Sequence, residues 1–343
     1  MNIRVHGGPG VALVLITLLL GTAASDARAT TSAPVCPVPA AEAAPEALAH
    51  AASENDLVGL GALAEAGDAQ AAWFLARALV LGAPQDEEAR AAAGHWLVCA
   101  ADAGLATAAE RLALDPMLIP EREARDADAF LLAAARAGLP SAQWRLGERL
   151  TLGSDGERDY GLARFWLSLA ADGGDRRAQF TLAWLHEQGL GGAPDAAAAE
   201  RRYRQAAAGG DERARNNLAW LLARDDTRLD EARTEAELAF DRLPAAPVAD
   251  TLGWIHFRRG DVGRARYWLE LSLSMDPDQA DALDHLGDVC LASEDTAGAR
   301  SAWRRALSLA REPGEIRALE RKLAALGDAG GHTGEPGAHT GPA

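Results

Sequence analysis

The sequence predicts an all-α fold, a right-handed solenoid of about seven helix-turn-helix units, and three observations carry that expectation. A phrase of small residues ending in glycine recurs at Gly67, Gly104, Gly138, Gly174 and Gly210, at intervals of 37, 34, 36 and 36 residues. Leucine followed by Ala or Gly recurs at Leu75, Leu112, Leu146, Leu182, Leu218, Leu252 and Leu286, again 34 to 37 residues apart. The composition is rich in Ala, Leu, Arg and Glu, poor in Ile, Thr and Tyr, and free of alternating β-branched runs, which favours helix throughout. A helical hairpin of this size cannot bury its apolar face alone, so neighbours must stack around one continuous core.

The elements follow in order. Residues 1–29 read as an export signal: Arg4 precedes an apolar run over 11–20, and Ala27-Arg28-Ala29 suits cleavage after Ala29, with cleavage after Ala24 the second choice. The run is too short for a membrane span, which needs roughly 20 apolar residues, so no stable membrane anchor is expected after cleavage and the mature chain is expected to be periplasmic or secreted. Residues 30–45 form a linker rich in Pro and Ala. An N-terminal capping helix is expected over 46–66, where Ala64-Glu65-Ala66-Gly67 introduces the recurring stop: the glycine takes a left-handed C-cap. Between successive stops lies a second helix marked by the Leu. Residues 315–326 read as an amphipathic C-terminal capping helix with Ile316, Leu319, Leu323 and Leu326 on one side, and 327–343 as a disordered tail.

The middle units resemble Sel-one-like repeats, relatives of tetratricopeptide repeats. Ala142-Gln143-Trp144-Arg145-Leu146-Gly147 followed by Asp159, Ala163, Trp166, Ala170-Ala171 and Gly174 carries the resemblance, and Ala178, Phe180, Leu182, Asp195, Ala199, Ala206-Ala207 and Gly210 repeat it. Sel-one-like repeats are therefore expected over 67–210. The unit around Leu112 is eroded, with Pro116 and Pro120 and no Gly-x-Gly turn. Over 211–314 the period settles at 34 and resembles ordinary tetratricopeptide repeats, through Leu252-Gly253, Ala265, Pro277, Leu286-Gly287, Ala299, Trp303 and Ala306. The resemblance implies a scaffold that binds protein or peptide partners.

On a wheel of 100° per residue, the landmark Leu, the small residue after it and the residues four after and three before it form the core stripe. The residue two after the Leu points away, and three units place Trp there: Trp184, Trp220 and Trp254. Arg177, Arg213, Asn216, Asp250, Phe257, Asp281, Asp284 and Asp288 share that side, which in a solenoid is the concave one. The groove so assembled has an aromatic middle, two Arg a repeat apart and an acidic end. Trp and Arg dominate binding hot spots, and these eleven residues are the expected partner-binding set. Packing between units is the competing use of Trp144 and Phe180.

The net charge of −16 repels nucleic acid and anionic lipid. No His-Glu-x-x-His, nucleophile elbow or phosphate loop is present, and Lys322 is the single lysine. No catalytic residue, metal site or cofactor is expected. Cys36 and Cys99 either form a bridge from the leader to the repeats or, with Cys290, remain thiols. The expected function is a non-enzymatic exported scaffold gripping a protein or peptide in its aromatic groove, in cell-envelope assembly or regulation. A glycan-associated role in envelope polysaccharide export is the alternative, since aromatic faces also stack on sugars, and a hydrolase is the least favoured reading.

Overall fold

The computed structural model describes residues 36, 45–53, 56–83, 85–119, 127–153, 156 and 158–329. Among them the chain forms seventeen α-helices and two single-turn 3-10 helices, with no strand. The expected signal segment, the linker apart from Cys36 and Pro45, and the tail beyond 329 lie outside the described residues.

Helices α1 (Pro45–Ser53) and α2 (Leu57–Glu65) lead in. One capping helix was expected over 46–66; the chain turns instead at Asp56. The Asp56 amide donates to the Ala51 carbonyl (2.9 Å) while its carboxylate accepts from the Gly59 amide (3.0 Å), starting a new helix. Seven helix pairs follow: α3 (Ala69–Gly82) with α4 (Glu87–Asp102), α5 (Ala106–Leu114) with α6 (Ala127–Arg136), and α7 (Pro140–Leu152) with α8 (Tyr160–Asp172). Next come α9 (Arg176–Gln188) with α10 (Ala196–Ala208), and α11 (Glu212–Leu222) with α12 (Leu229–Arg242). The last pairs are α13 (Ala246–Arg258) with α14 (Val262–Met275) and α15 (Ala280–Ala292) with α16 (Thr296–Leu309), before α17 (Pro313–Ala329).

One dipeptide, Gly-Asp, both ends a helix and begins the next. At the end of α8, Gly174 sits at φ +87°, its amide donating to Ala171 (3.1 Å) while the Asp175 amide donates to Ala170 (2.9 Å). That is the Schellman arrangement, which satisfies carbonyls that the helix leaves open. Asp175 then accepts from the Ala178 amide (3.0 Å) to cap α9; such a cap is worth about 1 kcal/mol. Asp68, Asp211 and Asp261 do the same for α3, α11 and α14.

The chain divides into two compact units inside α9: Met1–Leu182 with Leu190–Gly192, and Ala183–Gly189 with Ala193–Ala343. In unit 1, Leu60, Leu75, Leu97, Leu112 and Phe130 run through one buried core. The eroded repeat is anchored by the 3-10 turn Pro116–Leu118, with Leu118 buried and its carbonyl 2.0 Å from where a Gly94 Cβ would stand. Gly94 is what lets that turn sit against α4. A disulfide joins Cys36 to Cys99 on α4, 63 residues apart, whereas Cys290 in unit 2 is a buried thiol.

Five landmark leucines, Leu75, Leu112, Leu182, Leu218 and Leu252, are fully buried. Leu146 and Leu286, expected to match them, are only half-buried. Each precedes a glycine over which a large side chain from the paired helix lies, an arrangement that Gly253 shares beneath Leu269 although Leu252 is fully buried. A Cβ on Gly147 would stand 2.5 Å from Leu167 Cγ, and one on Gly287 2.2 Å from Trp303 Nε1. In unit 2, α17 closes the core by burying Leu319 and Leu326 with Leu283, Cys290 and Trp303, with Leu323 half-buried beside them.

Candidate functional site

The residue two beyond the landmark Leu brings two tryptophans together in unit 2. Trp220 of α11 and Trp254 of α13 stand 6.2 Å apart between ring centroids, and Phe257, three residues along α13, lies 5.6 Å from Trp254. Both Trp and Phe257 are half-buried, so each residue keeps part of its surface open to solvent. Trp184, expected with them, is also half-buried but takes no part in this ring cluster. The fourth member is His285 of α15, stacked on Trp254 at 4.5 Å with a 26° interplanar angle and 5.6 Å from Trp220.

His285 and Asp250 form the polar centre of the site. Asp250, buried on α13, lies 2.8 Å from His285 Nδ1. Burial opposes the charged imidazolium, yet the Asp250 carboxylate outweighs it through charge and hydrogen bond, with Asp284 and Asp281 adding, and the His285 pKa is raised. Asp281, one turn before His285, is open at its surface. Desolvation on its protein side, and then the charge of Asp250, raise its carboxyl above the usual range.

The open acidic end that the sequence suggests needs correction. Lys322 of α17 reaches back to hold Asp284 (2.6 Å) and Asp288 (2.9 Å). Desolvation still raises Asp288, with Lys322 working against it. Asp250, Asp284 and Asp288 therefore have internal partners, and Asp281 is the carboxylate that faces outward. Against four carboxylates stand one lysine and one imidazole, so the patch keeps a negative excess.

Neither expected arginine is a free groove residue. Arg177, in unit 1, pairs with Asp175 (2.7 Å) and lies 3.7 Å over the Trp144 ring, a cation–π contact within its own unit. The Asp175 carboxylate raises the Arg177 pKa further. Arg213 is exposed and pairs with Asp211 at 3.2 Å. Both follow the helix-capping Asp by two positions, so the spacing Asp-x-Arg folds the guanidinium back on the cap. Asn216 lies one turn before Trp220, and its buried Oδ1 has no hydrogen-bond partner among the described residues. Among the described residues no group of three or more His, Cys, Asp or Glu is placed to hold a metal ion.

His285 is the site residue that the wheel missed. It lies one before the landmark Leu, at the flank of the helix side that carries the Trp. Its signal was its placement four residues after Asp281 and 35 after Asp250, one repeat on.

This repeat geometry coincides with a recognised sequence pattern. Residues 69–105, 140–175, 176–211 and 255–277 match the family model of the Sel1 repeat. The chain is a Sel1-repeat protein. The fourth match falls within the stretch over 211–314 whose spacing resembles tetratricopeptide repeats, and solved structures similar to this Sel1-repeat protein include both kinds. One is c5321, a protective antigen present in uropathogenic Escherichia coli strains and displaying an SLR fold. It is 17% identical, with TM-score 0.53 over 87% of this chain and 89% of that one. A Sel1 repeat protein from Oxalobacter formigenes is 34% identical over 36% of this chain and 93% of its own, with TM-score 0.33. A thermophilic TPR protein of Thermus thermophilus, TTC0263, is 18% identical over 55% of this chain and 98% of its own, with TM-score 0.43. No curated protein matches the sequence. Sel1-repeat proteins are generally non-catalytic scaffolds for protein–protein interaction.

Proposed function

We propose that this Sel1-repeat protein is an exported, non-enzymatic adaptor of the cell envelope, holding an extended basic segment of a partner protein on the Trp220–Trp254–Phe257 surface. The observation that carries the reading is the pairing of two half-buried indoles in successive repeats with an outward carboxylate, Asp281, in a patch of negative excess. Aromatic faces and carboxylates are the two groups that a lysine or arginine side chain engages at once. Export is supported by the Cys36–Cys99 disulfide, a bond that persists in oxidising compartments and is rare in reducing ones.

Tryptophan fluorescence against an immobilised array of twelve-residue peptides, spanning cationic, neutral and acidic sequences with and without aromatic residues, tests the reading. Binding should concentrate in cationic peptides and fall with salt. A response to neutral oligosaccharides with none to any cationic peptide would sink it and favour sugars stacked on the same rings.

A further inference from the structure

We propose that unit 1 carries a second binding site, a pocket for a single-chain amphiphile with an anionic head. The pocket is lined from α3, α4 and α5 and encloses about 310 Å³, at the small end of ligand pockets, which run from about 300 to 1,000 Å³. Trp73, Arg77 and Leu81 follow one face of α3 at intervals of four, with Val80 beside them. Leu97 of α4, fully buried, forms the floor, and Arg111 of α5 completes the lining. Leu81 is 70% exposed, an apolar wall that water now covers and an acyl chain would take over.

The charges determine the head. Arg77 is exposed and has no hydrogen-bond or ion-pair partner among the described residues. Arg111 reaches only Asp115, at 3.3 Å, in a pair whose two side chains are 40% and 39% exposed; an exposed pair of this kind holds its members weakly. In a chain of net charge −16, one guanidinium beside this apolar pocket thus has no carboxylate partner and the other has a weakly held one. Guanidinium forks match carboxylate, sulfate and phosphate oxygens.

The donor count distinguishes an amphiphile from a peptide. The polar groups of the lining side chains are the Trp73 indole N–H and the two guanidinium groups, all donors, with no side-chain acceptor among them. The α3 carbonyls beneath are occupied by the helix's own hydrogen bonds. A peptide laid here would bury backbone N–H groups with nothing to accept them. An anionic head on an acyl chain brings acceptors at one end and no donor along its length.

Calorimetric titration of the full, disulfide-bonded chain with decanoate, below its micelle-forming concentration, tests the proposal. Octanoate, decyltrimethylammonium and a hexapeptide ending in Ala-Leu-Val with a free carboxylate serve as comparators. The expected result is one decanoate per chain, bound at least ten-fold more tightly than the cationic detergent or the peptide. Affinity should rise roughly three- to four-fold for each CH₂ between octanoate and decanoate. Arg77→Gln with Arg111→Gln should weaken decanoate at least ten-fold with circular dichroism and melting temperature unchanged, since both side chains are on the surface. Leu81→Ser should weaken it without affecting head selectivity. The proposal is overturned by no decanoate binding, by equal affinity for the cationic detergent, by tighter binding of the peptide, or by a double variant that binds as the wild type does.

Discussion

The substitution Gly287→Ala tests the steric reason for the small residue that follows each landmark Leu. A Cβ there would stand 2.2 Å from Trp303 Nε1 and 2.4 Å from its Cδ1, against about 3.5–4.0 Å for an ordinary contact. The indole must retreat by more than about 1 Å, yet it is only 1% exposed and fixed by a 3.1 Å hydrogen bond from Nε1 to the Asp284 carbonyl. Overpacking a core costs roughly 1–3 kcal/mol, and weakening that bond adds about 1 kcal/mol. Replacing glycine within a helix returns about 0.8–1 kcal/mol. The net expectation is a loss of roughly 1–3 kcal/mol, read as a lower urea midpoint at unchanged m. Gly314→Ala, with nothing within 4 Å of the added Cβ, is the control and should show no loss. A Gly287→Ala protein as stable as the wild type would refute the claim that close approach of α15 and α16 demands the glycine.

Three further outcomes are expected. Cys36→Ser, or reduction, should destabilise unit 1 by up to about 4 kcal/mol, the loop-closure value for a bond spanning 63 residues, and thermal melts with and without reductant should coincide in the variant. Glu294, at φ +65°, occupies the left-handed position that Gly67, Gly174, Gly210 and Gly260 hold at their helix stops, so Glu294→Gly should raise the melting temperature, by about 1 kcal/mol of stability. Because the His285 pKa is raised on folding, its contribution is complete below about 6.5 and is lost as pH rises through the folded value. His256, whose pKa is lowered chiefly by burial, has the opposite slope just below 6.5, and the difference between wild type and His285→Gln across pH 6–9 isolates His285.

What was legible in the sequence is what the backbone demands of single positions. A helix must stop before a tight turn, so Gly67 and Gly174 recur. Its exposed amides need an acceptor, so Asp68, Asp175 and Asp211 follow them. The paired helices must approach, so Ala or Gly follows each Leu. The wheel also put Trp220 and Trp254 on one side of their helices, where they meet. It could not show what lies across a helix pair, because a wheel describes direction within one helix and not the neighbour in that direction. Lys322, 34 residues beyond Asp288, closes on it through α17, and His285 reaches Asp250 one repeat back. Arg177 turns onto Trp144 because its own capping aspartate draws it there. The pairing of Cys36 needed the placement of α4, since spacing alone left bridge and thiols equally open.

The central claim is that Trp220 and Trp254 grip a cationic segment while the landmark leucines hold the fold. The affinity of the tightest cationic array peptide for wild type, Trp220→Ala, Trp254→Ala and Asp281→Asn tests it most directly, with helicity monitored in each. Each tryptophan variant should keep its helix content and lose about 2 kcal/mol of binding, roughly thirty-fold, and Asp281→Asn should flatten the salt dependence. Affinities within two-fold of wild type in both tryptophan variants, with the fold intact, would contradict the account.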